Sequence, residues 1–356
     1  MSNVANKMVQ AAAGNAGSSE KTLALVSGAS YFTVVDISDA SNMSILGSIA
    51  NSAFATTREG FADVDTNYKL FFASNSAGNV IVCNFSDPTN PTYSTTFNYS
   101  AGGITRSARS VVLDTSRKIL FTNFNDHDAI YRSSYNTWGS RTSTDYVYSP
   151  SQLDNTWGMA IDTTNEILYS ANRSDNSVTS LDYSPSSAMT FLVELTSLAA
   201  FPAPAGIAID VDNSRVYATG EGQYHLAEIN ISNPSNMSFS RTYSAGSFSG
   251  GMGNPHSVVL DVEDEVALVY SRGNTAVVAL DISSGTIHQL DSYYSSTYFD
   301  TAYNQIQVDT ERKILFVICP GSGKGLTAID YSDPTNLSLI GNISHASLRG
   351  RRLALA

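Results

Sequence analysis

A short run of two or three apolar residues, an aspartate and then an apolar strand recurs six times along this 356-residue chain. The copies read Ala62-Asp63-Val64-Asp65 before Leu70-Phe71-Phe72, Val112-Leu113-Asp114 before Ile119-Leu120-Phe121, and Ala160-Ile161-Asp162 before Ile167-Leu168-Tyr169. They continue as Ala208-Ile209-Asp210 before Val216-Tyr217, Val259-Leu260-Asp261 before Val266-Ala267-Leu268, and Gln307-Val308-Asp309 before Ile314-Leu315-Phe316. The intervals between aspartates are 49, 48, 48, 51 and 48 residues. A period of this length with strand-type patterning describes one small antiparallel sheet, repeated, that buries its faces only against its neighbours. Radial stacking into a β-propeller satisfies every copy at once. With residues 1–20 set aside, the remaining 336 residues make seven periods of 48. The expected fold is all-β: a seven-bladed propeller of four-stranded antiparallel blades over residues 21–356.

Each period holds four strands. Strand A ends at the aspartate, whose short acceptor side chain suits a tight turn into strand B. Strand C ends in a repeated stop, as in Val80-Ile81-Val82-Cys83-Asn84-Phe85-Ser86-Asp87-Pro88-Thr89-Asn90 and Leu326-Thr327-Ala328-Ile329-Asp330-Tyr331-Ser332-Asp333-Pro334-Thr335-Asn336. Proline cannot donate to a ladder, and Asp, Ser and Asn bond locally, so the strand halts there before strand D. The first period lacks a strand A, because Ser18 stands where the aspartate would fall. Residues 349–356 have the length and alternation of that missing strand, so they are expected to close the ring and remove its exposed edges.

The S-D-P-[ST]-N turn after a Val-Val-Asp-Ile strand (Val34 to Ile37) resembles the LVIVP-type repeat. The Gly158-to-Tyr169 and Gly206-to-Tyr217 stretches are similar to YVTN and NHL propeller repeats. The resemblance covers residues 22–345 and implies the propeller fold. For function it implies surface-exposed, adhesive or virion-associated roles, or a lactonase-like hydrolase.

Composition narrows the classes. The net charge of −12 argues against nucleic acid, which demands clustered Lys and Arg. The one basic cluster, Arg349, Arg351 and Arg352, is read as the solvated flank of the last strand. Cys83 and Cys319 lie in different blades and are expected to be small buried apolar groups, not a disulfide or metal pair. No apolar run reaches 18 residues, so no membrane insertion is expected. Residues 1–13 lack the basic flank and apolar centre of a secretory signal. The Asn-x-Ser/Thr sequences at Asn42, Asn84, Asn230, Asn236, Asn336 and Asn342 are read as turn chemistry. Val4, Met8 and Ala12 recur at helical spacing, which makes residues 1–20, with Val4, Met8 and Val9, a candidate assembly arm and linker.

Candidate chemistry lies where loops converge on the central channel. Five residues before each aspartate stand Gly60, Arg109, Trp157, Ala205, His256 and Asn304, with Glu59 nearby. Glu59, Arg109 and His256 could serve proton transfer and an oxyanion, as a lactonase-like enzyme requires. The preferred expectation for this mouth is a plug of Trp157 with hydrogen-bonded polar groups. The loop Asn123 to Asp128 gathers two carboxylates and an imidazole without metal-ligand spacing. Asp63 to Asn67 lacks the glycine and glutamate of an EF-hand, and Gly321 to Gly325 leads into a strand and not a phosphate-binding helix. The repeat aspartates Asp65, Asp114, Asp162, Asp210, Asp261 and Asp309 are expected to be structural, and neither a metal nor a cofactor is called for.

The leading expectation is therefore a non-catalytic interaction module. It would present a loop face to a protein, carbohydrate or surface receptor, and it would be tethered by residues 1–20 in a virion or other assembled particle, otherwise cytoplasmic. Tyr293, Tyr294, Tyr298 and Tyr303 offer recognition surface at low entropic cost. The alternative is a lactonase-like hydrolase using the channel.

Overall fold

The computed structural model describes residues 21–28, 30–54, 60–99, 107–184, 188–222, 225–244, 252–283 and 285–356. Among them the chain forms seven four-stranded antiparallel sheets. The arm candidates Val4, Met8 and Val9, and the channel candidate Glu59, lie outside the described residues. The strands A that line the axis are Ala62–Asp65, Ala108–Asp114, Thr156–Asp162, Pro204–Asp210, Pro255–Asp261 and Ile306–Asp309 for blades 2 to 7. Strands B, such as Ile167–Asn172 and Ile314–Cys319, are buried throughout. They sit between neighbouring blades on both faces, which is why the sequence shows continuous apolar runs there instead of alternation.

Blade 1 is built from both ends of the chain. Arg352–Leu355 pairs with Leu23–Gly28, with Ala24 opposite Leu355 and Val26 opposite Leu353. The ladder is finished by Leu23 N donating to Ala356 O at 2.7 Å and Ala356 N to Leu23 O at 2.9 Å. Leu353, Ala354 and Leu355 are buried, so closure by the C-terminal strand is seen directly. The basic cluster beside it departs from expectation. Arg349 is exposed and donates to Ser322 Oγ, but Arg352 is wholly buried, because its position in the closing strand places it inside the blade stack.

The six repeat aspartates cap their own turns. Asp65 Oδ1 accepts from the backbone N–H of Asn67 and Tyr68, and Asp162 Oδ1 from Thr164 and Asn165. Asp114, Asp210, Asp261 and Asp309 accept the N–H three residues on. The turn then passes through a left-handed residue just before strand B: Lys69, Lys118, Glu166, Ser214, Glu265 and Lys313 all have φ between 53° and 61°.

The second carboxylate oxygen reaches the next blade wherever a tyrosine follows its strand C. Tyr135 donates to Asp65 Oδ2 at 2.8 Å, Tyr183 to Asp114 Oδ2 at 3.2 Å and Tyr331 to Asp261 Oδ2 at 2.9 Å. Where that position is Ile231 or Ile282, the oxygen is satisfied within its own turn, by Asn165 on Asp162 and Asn213 on Asp210. Where it is Ile37, Arg312 Nε serves Asp309 at 2.5 Å. Phe85 occupies the remaining place, facing blade 1, whose inner strand carries no aspartate. Each blade boundary is thus satisfied, as buried polar groups require.

The S-D-P-[ST]-N turn stops strand C and also docks onto the preceding blade. A Cβ on Gly47 of strand D in blade 1 would stand 2.6 Å from Thr89 O and Pro91 Cδ, and one on Gly341 would stand 2.5 Å from Ala40 O. Ser180 Oγ donates to Pro234 O at 2.6 Å across the blade 4–5 boundary. Cys83 and Cys319 are free and buried.

Candidate functional site

The channel is closed at the end where strands A begin and strands B end. Trp157 of blade 4 and Tyr303, just before blade 7, meet with ring centroids 5.2 Å apart. His256 of blade 6 lies 5.5 Å from Trp157, 5.0 Å from Tyr303 and 6.0 Å from Phe61 of blade 2. Rings from four blades therefore meet on the axis. Glycines permit this close approach of inner strands: a Cβ at Gly158 would stand 2.4 Å from Ala205 O, and one at Gly206 2.3 Å from His256 O.

A charged shell surrounds the rings. Glu221 Oε1 lies 2.9 Å from His256 Nδ1 and 3.3 Å from Arg272 Nε, and its other oxygen pairs with Arg173. Burial opposes the charge on Glu221. The hydrogen bond from His256, with the charges of His256, Arg173 and Arg272, outweighs it and holds the carboxyl below its ordinary range. The guanidinium groups of Arg109 and Arg173 lie 4.6 and 4.7 Å from the Trp157 ring centroid, and that of Arg272 lies 4.0 Å from that of Tyr303. These are cation–π distances. Arg173 and Arg272 keep about a fifth of their side chains exposed, whereas His256 and Glu221 are sealed.

The structure thus brings together Arg109, Trp157 and His256 of the sequence candidates. Asn304 stands apart. It is fully buried, and its Nδ2 donates to Tyr270 Oη at 2.8 Å, Asp300 Oδ1 at 2.9 Å and Cys319 Sγ at 3.1 Å, so it braces blades 6 and 7 and does not face the mouth. The tyrosine group also divides: Tyr303 enters the plug while Tyr294 points outward, 64% exposed. In the Asn123 to Asp128 loop, Asp126 accepts from Ser107 N and Asp128 from Asn155 N, and no metal-holding cluster occurs among the described residues. Sequence reasoning missed Arg173, Glu221 and Arg272. They sit just after strands B of blades 4, 5 and 6, and aligning those strand ends would have brought them out.

Below the plug the channel opens as a cavity of about 420 Å³, running from Phe61 to Thr66, Thr115, Ser116, Thr163 and Thr310 at the opposite end. Its wall is an apolar arc of Val112, Ile161, Ala208 and Val259, facing Asp63, Gln305 and Gln307. Gln305 Oε1 accepts from Leu353 N at 2.8 Å and Ala62 N at 3.3 Å, which ties the closing strand to its neighbours. Asp63 accepts only backbone N–H groups, Val64 at 2.8 Å and Leu113 at 2.9 Å. Burial, which these bonds only partly offset, pushes its carboxyl up to about 7.

Three stretches, residues 24–51, 223–245 and 321–344, match the family model described as LVIVD repeat. No curated protein matches the chain in sequence. Solved structures share the fold across almost the whole chain. A "putative 6-phosphogluconolactonase" from Bacteroides uniformis superposes with a TM-score of 0.77 at 10% identity, covering 95% of this chain and 100% of that one. The periplasmic gluconolactonase of Pseudomonas aeruginosa gives 0.74 at 12% identity, covering 94% and 99%. A functionally unknown protein from Desulfotomaculum acetoxidans gives 0.71 at 13%, covering 94% and 98%. At these identities the likeness speaks for architecture alone. The chain is a seven-bladed β-propeller whose blades 1, 5 and 7 match the LVIVD repeat model.

Proposed function

We propose that this propeller is a binding module and not an enzyme, and that its plugged face, with Arg109, Arg173 and Arg272 around Trp157 and Tyr303, receives an acidic group presented by a partner. One observation carries the reading: the only described imidazole on the axis, His256, is paired with Glu221 and walled by Phe61, Trp157 and Tyr303. A general base needs hydrogen-bond reach to its substrate or to a water, and these rings occupy that space. Arg173 and Arg272, held in place by Glu221, keep part of their side chains exposed for contact. Such pre-oriented arginines suit planar acidic groups.

The second reading, lactone hydrolysis, draws on the same 2.9 Å pair, since Glu221 would orient His256 to take a proton from water while an arginine held the oxyanion. The names of the structural neighbours choose the test substrates. Gluconolactone and 6-phosphogluconolactone hydrolysis, followed by acid release, should proceed at the uncatalysed rate with wild type and with His256→Ala. Turnover by the wild type that His256→Ala abolishes would replace the binding reading with the enzymatic one. A tether in a virion or other particle rests on the sequence of residues 1–20 alone. Deleting them should leave a folded ring that no longer joins its assembly, and unchanged incorporation would refute the tether.

A further inference from the structure

We infer that the open half of the channel is a second binding site, opposite the plugged face, for a small amphipathic organic ammonium. Three observations converge on it. The first is charge. Among the described residues, Asp63 and Asp114 are the only ionisable ones lining the cavity, and no described Lys, Arg or His reaches it. Asp114 is fully buried and already bonded to Ser116, Arg117 and Tyr183. Asp63, by contrast, meets only two backbone N–H groups, so its carboxylate has acceptor capacity left and no cationic partner. A carboxylate withdrawn from bulk water without a counter-charge favours a cation that can donate to it, and it repels anions.

The second observation is the rim. Thr66, Thr115, Thr163 and Thr310 follow the repeat aspartates directly and surround the open end. Their hydroxyls neither donate to nor accept from any described residue, which leaves four neutral hydrogen-bonding groups turned to whatever enters. The third is the wall. Val112, Ile161, Ala208 and Val259 form a continuous apolar side facing Asp63, so the site offers a place for an ammonium head and another for an aliphatic body. At about 420 Å³ the space lies within the usual range for small-ligand pockets, roughly 300–1,000 Å³, and the plug keeps it from being a through-pore.

Hexylammonium chloride is the probe, with hexanoate and hexanol as matched controls of opposite and zero charge. Isothermal titration of the intact chain should show one saturable site for hexylammonium, with hexanoate and hexanol at least about tenfold weaker, the scale of a charge-assisted hydrogen bond. Asp63→Asn should weaken hexylammonium by a similar factor. Ala208→Phe fills the apolar side without altering any charge and should abolish binding. Circular dichroism establishes that each variant is folded, and either variant alone suffices. Binding that ignores both variants would mean loose attraction to an acidic surface and would overturn the site. Equal binding of hexanoate would overturn it as well, as would no saturable uptake by the wild type. The plugged face takes no part in this test, so its outcome is separate from that of the lactone and partner experiments.

Discussion

A single position, the residue after strand C, decides how each blade boundary is satisfied. Tyrosine there serves the preceding blade's aspartate, isoleucine leaves the aspartate to its own turn, and Phe85 faces the one inner strand that lacks an aspartate. Tyr135→Phe removes the hydroxyl that donates to Asp65 Oδ2, so it should cost about 2 kcal/mol in urea denaturation. Phe85→Tyr should destabilise by about 1–3 kcal/mol, because its new hydroxyl would be buried without a carboxylate. If both changes were silent, the boundary rule would fall. Asp63 sets a pH dependence of its own. Its folded carboxyl is raised to about 7, above the ordinary value near 4, so between those values the folded state keeps a proton that the unfolded chain releases. Asp63 therefore withdraws stability as pH rises through that window. Asp63→Asn should raise the denaturation midpoint relative to wild type at pH 8 and leave it nearly unchanged at pH 4. The repeat aspartates were legible as turn formers because they recur. Glu221, Arg173 and Arg272 were less legible, since the position after strand B changes type around the ring, being Asn75, Asn125 and Pro320 in other blades, and gains meaning only when three blades turn it toward the axis.

At the scale of elements, the strand order and the stop after strand C were readable because their chemistry is local: a capping carboxylate, and a proline that cannot donate. What they touch was not readable. The Ser-Asp-Pro turn docks on a glycine one blade back, and the inner strands pass so closely that Gly158 and Gly206 face backbone oxygens. Gly206→Ala would place Cβ 2.3 Å from His256 O, against an atom that cannot swing aside. It should cost about 1–3 kcal/mol of stability, and it should disturb the Trp157 environment in near-ultraviolet circular dichroism. An unchanged spectrum and midpoint would show that the strands can part. Arg352 makes the same point in reverse. Three arginines near an end read as a solvated flank, but strand pairing carries one of them into the interior.

For the whole molecule, closure governs stability. Removing residues 352–356 would strip Leu23–Gly28 of its partner and leave an apolar edge with unpaired backbone groups. The truncated chain should form oligomers by size-exclusion chromatography with light scattering and unfold at a lower temperature. A monomer with the wild-type midpoint would contradict the seal. The ring also divides the axis into two unlike halves, one filled with aromatic rings and arginines and the other hollow and lined by Asp63. The number of blades was written in the 48-residue period; this polarity was not, because it depends on which side chains meet across the axis.

In blade 1 the two ends of the ring stand side by side, with Leu23 and Ala356 exchanging backbone hydrogen bonds as Asp114 and Ile119 pair at an ordinary hairpin. Four residues, 115–118, bridge that ordinary hairpin, and Lys21 and Thr22 already supply two for the gap in blade 1. The ring therefore has no intrinsic beginning. A circular permutant that joins Ala356 to Lys21 through a short insert and starts instead at the exposed turn around Asn213 would move the split from blade 1 to blade 5, where Pro204–Asp210 would close the ring as Arg352–Leu355 does here.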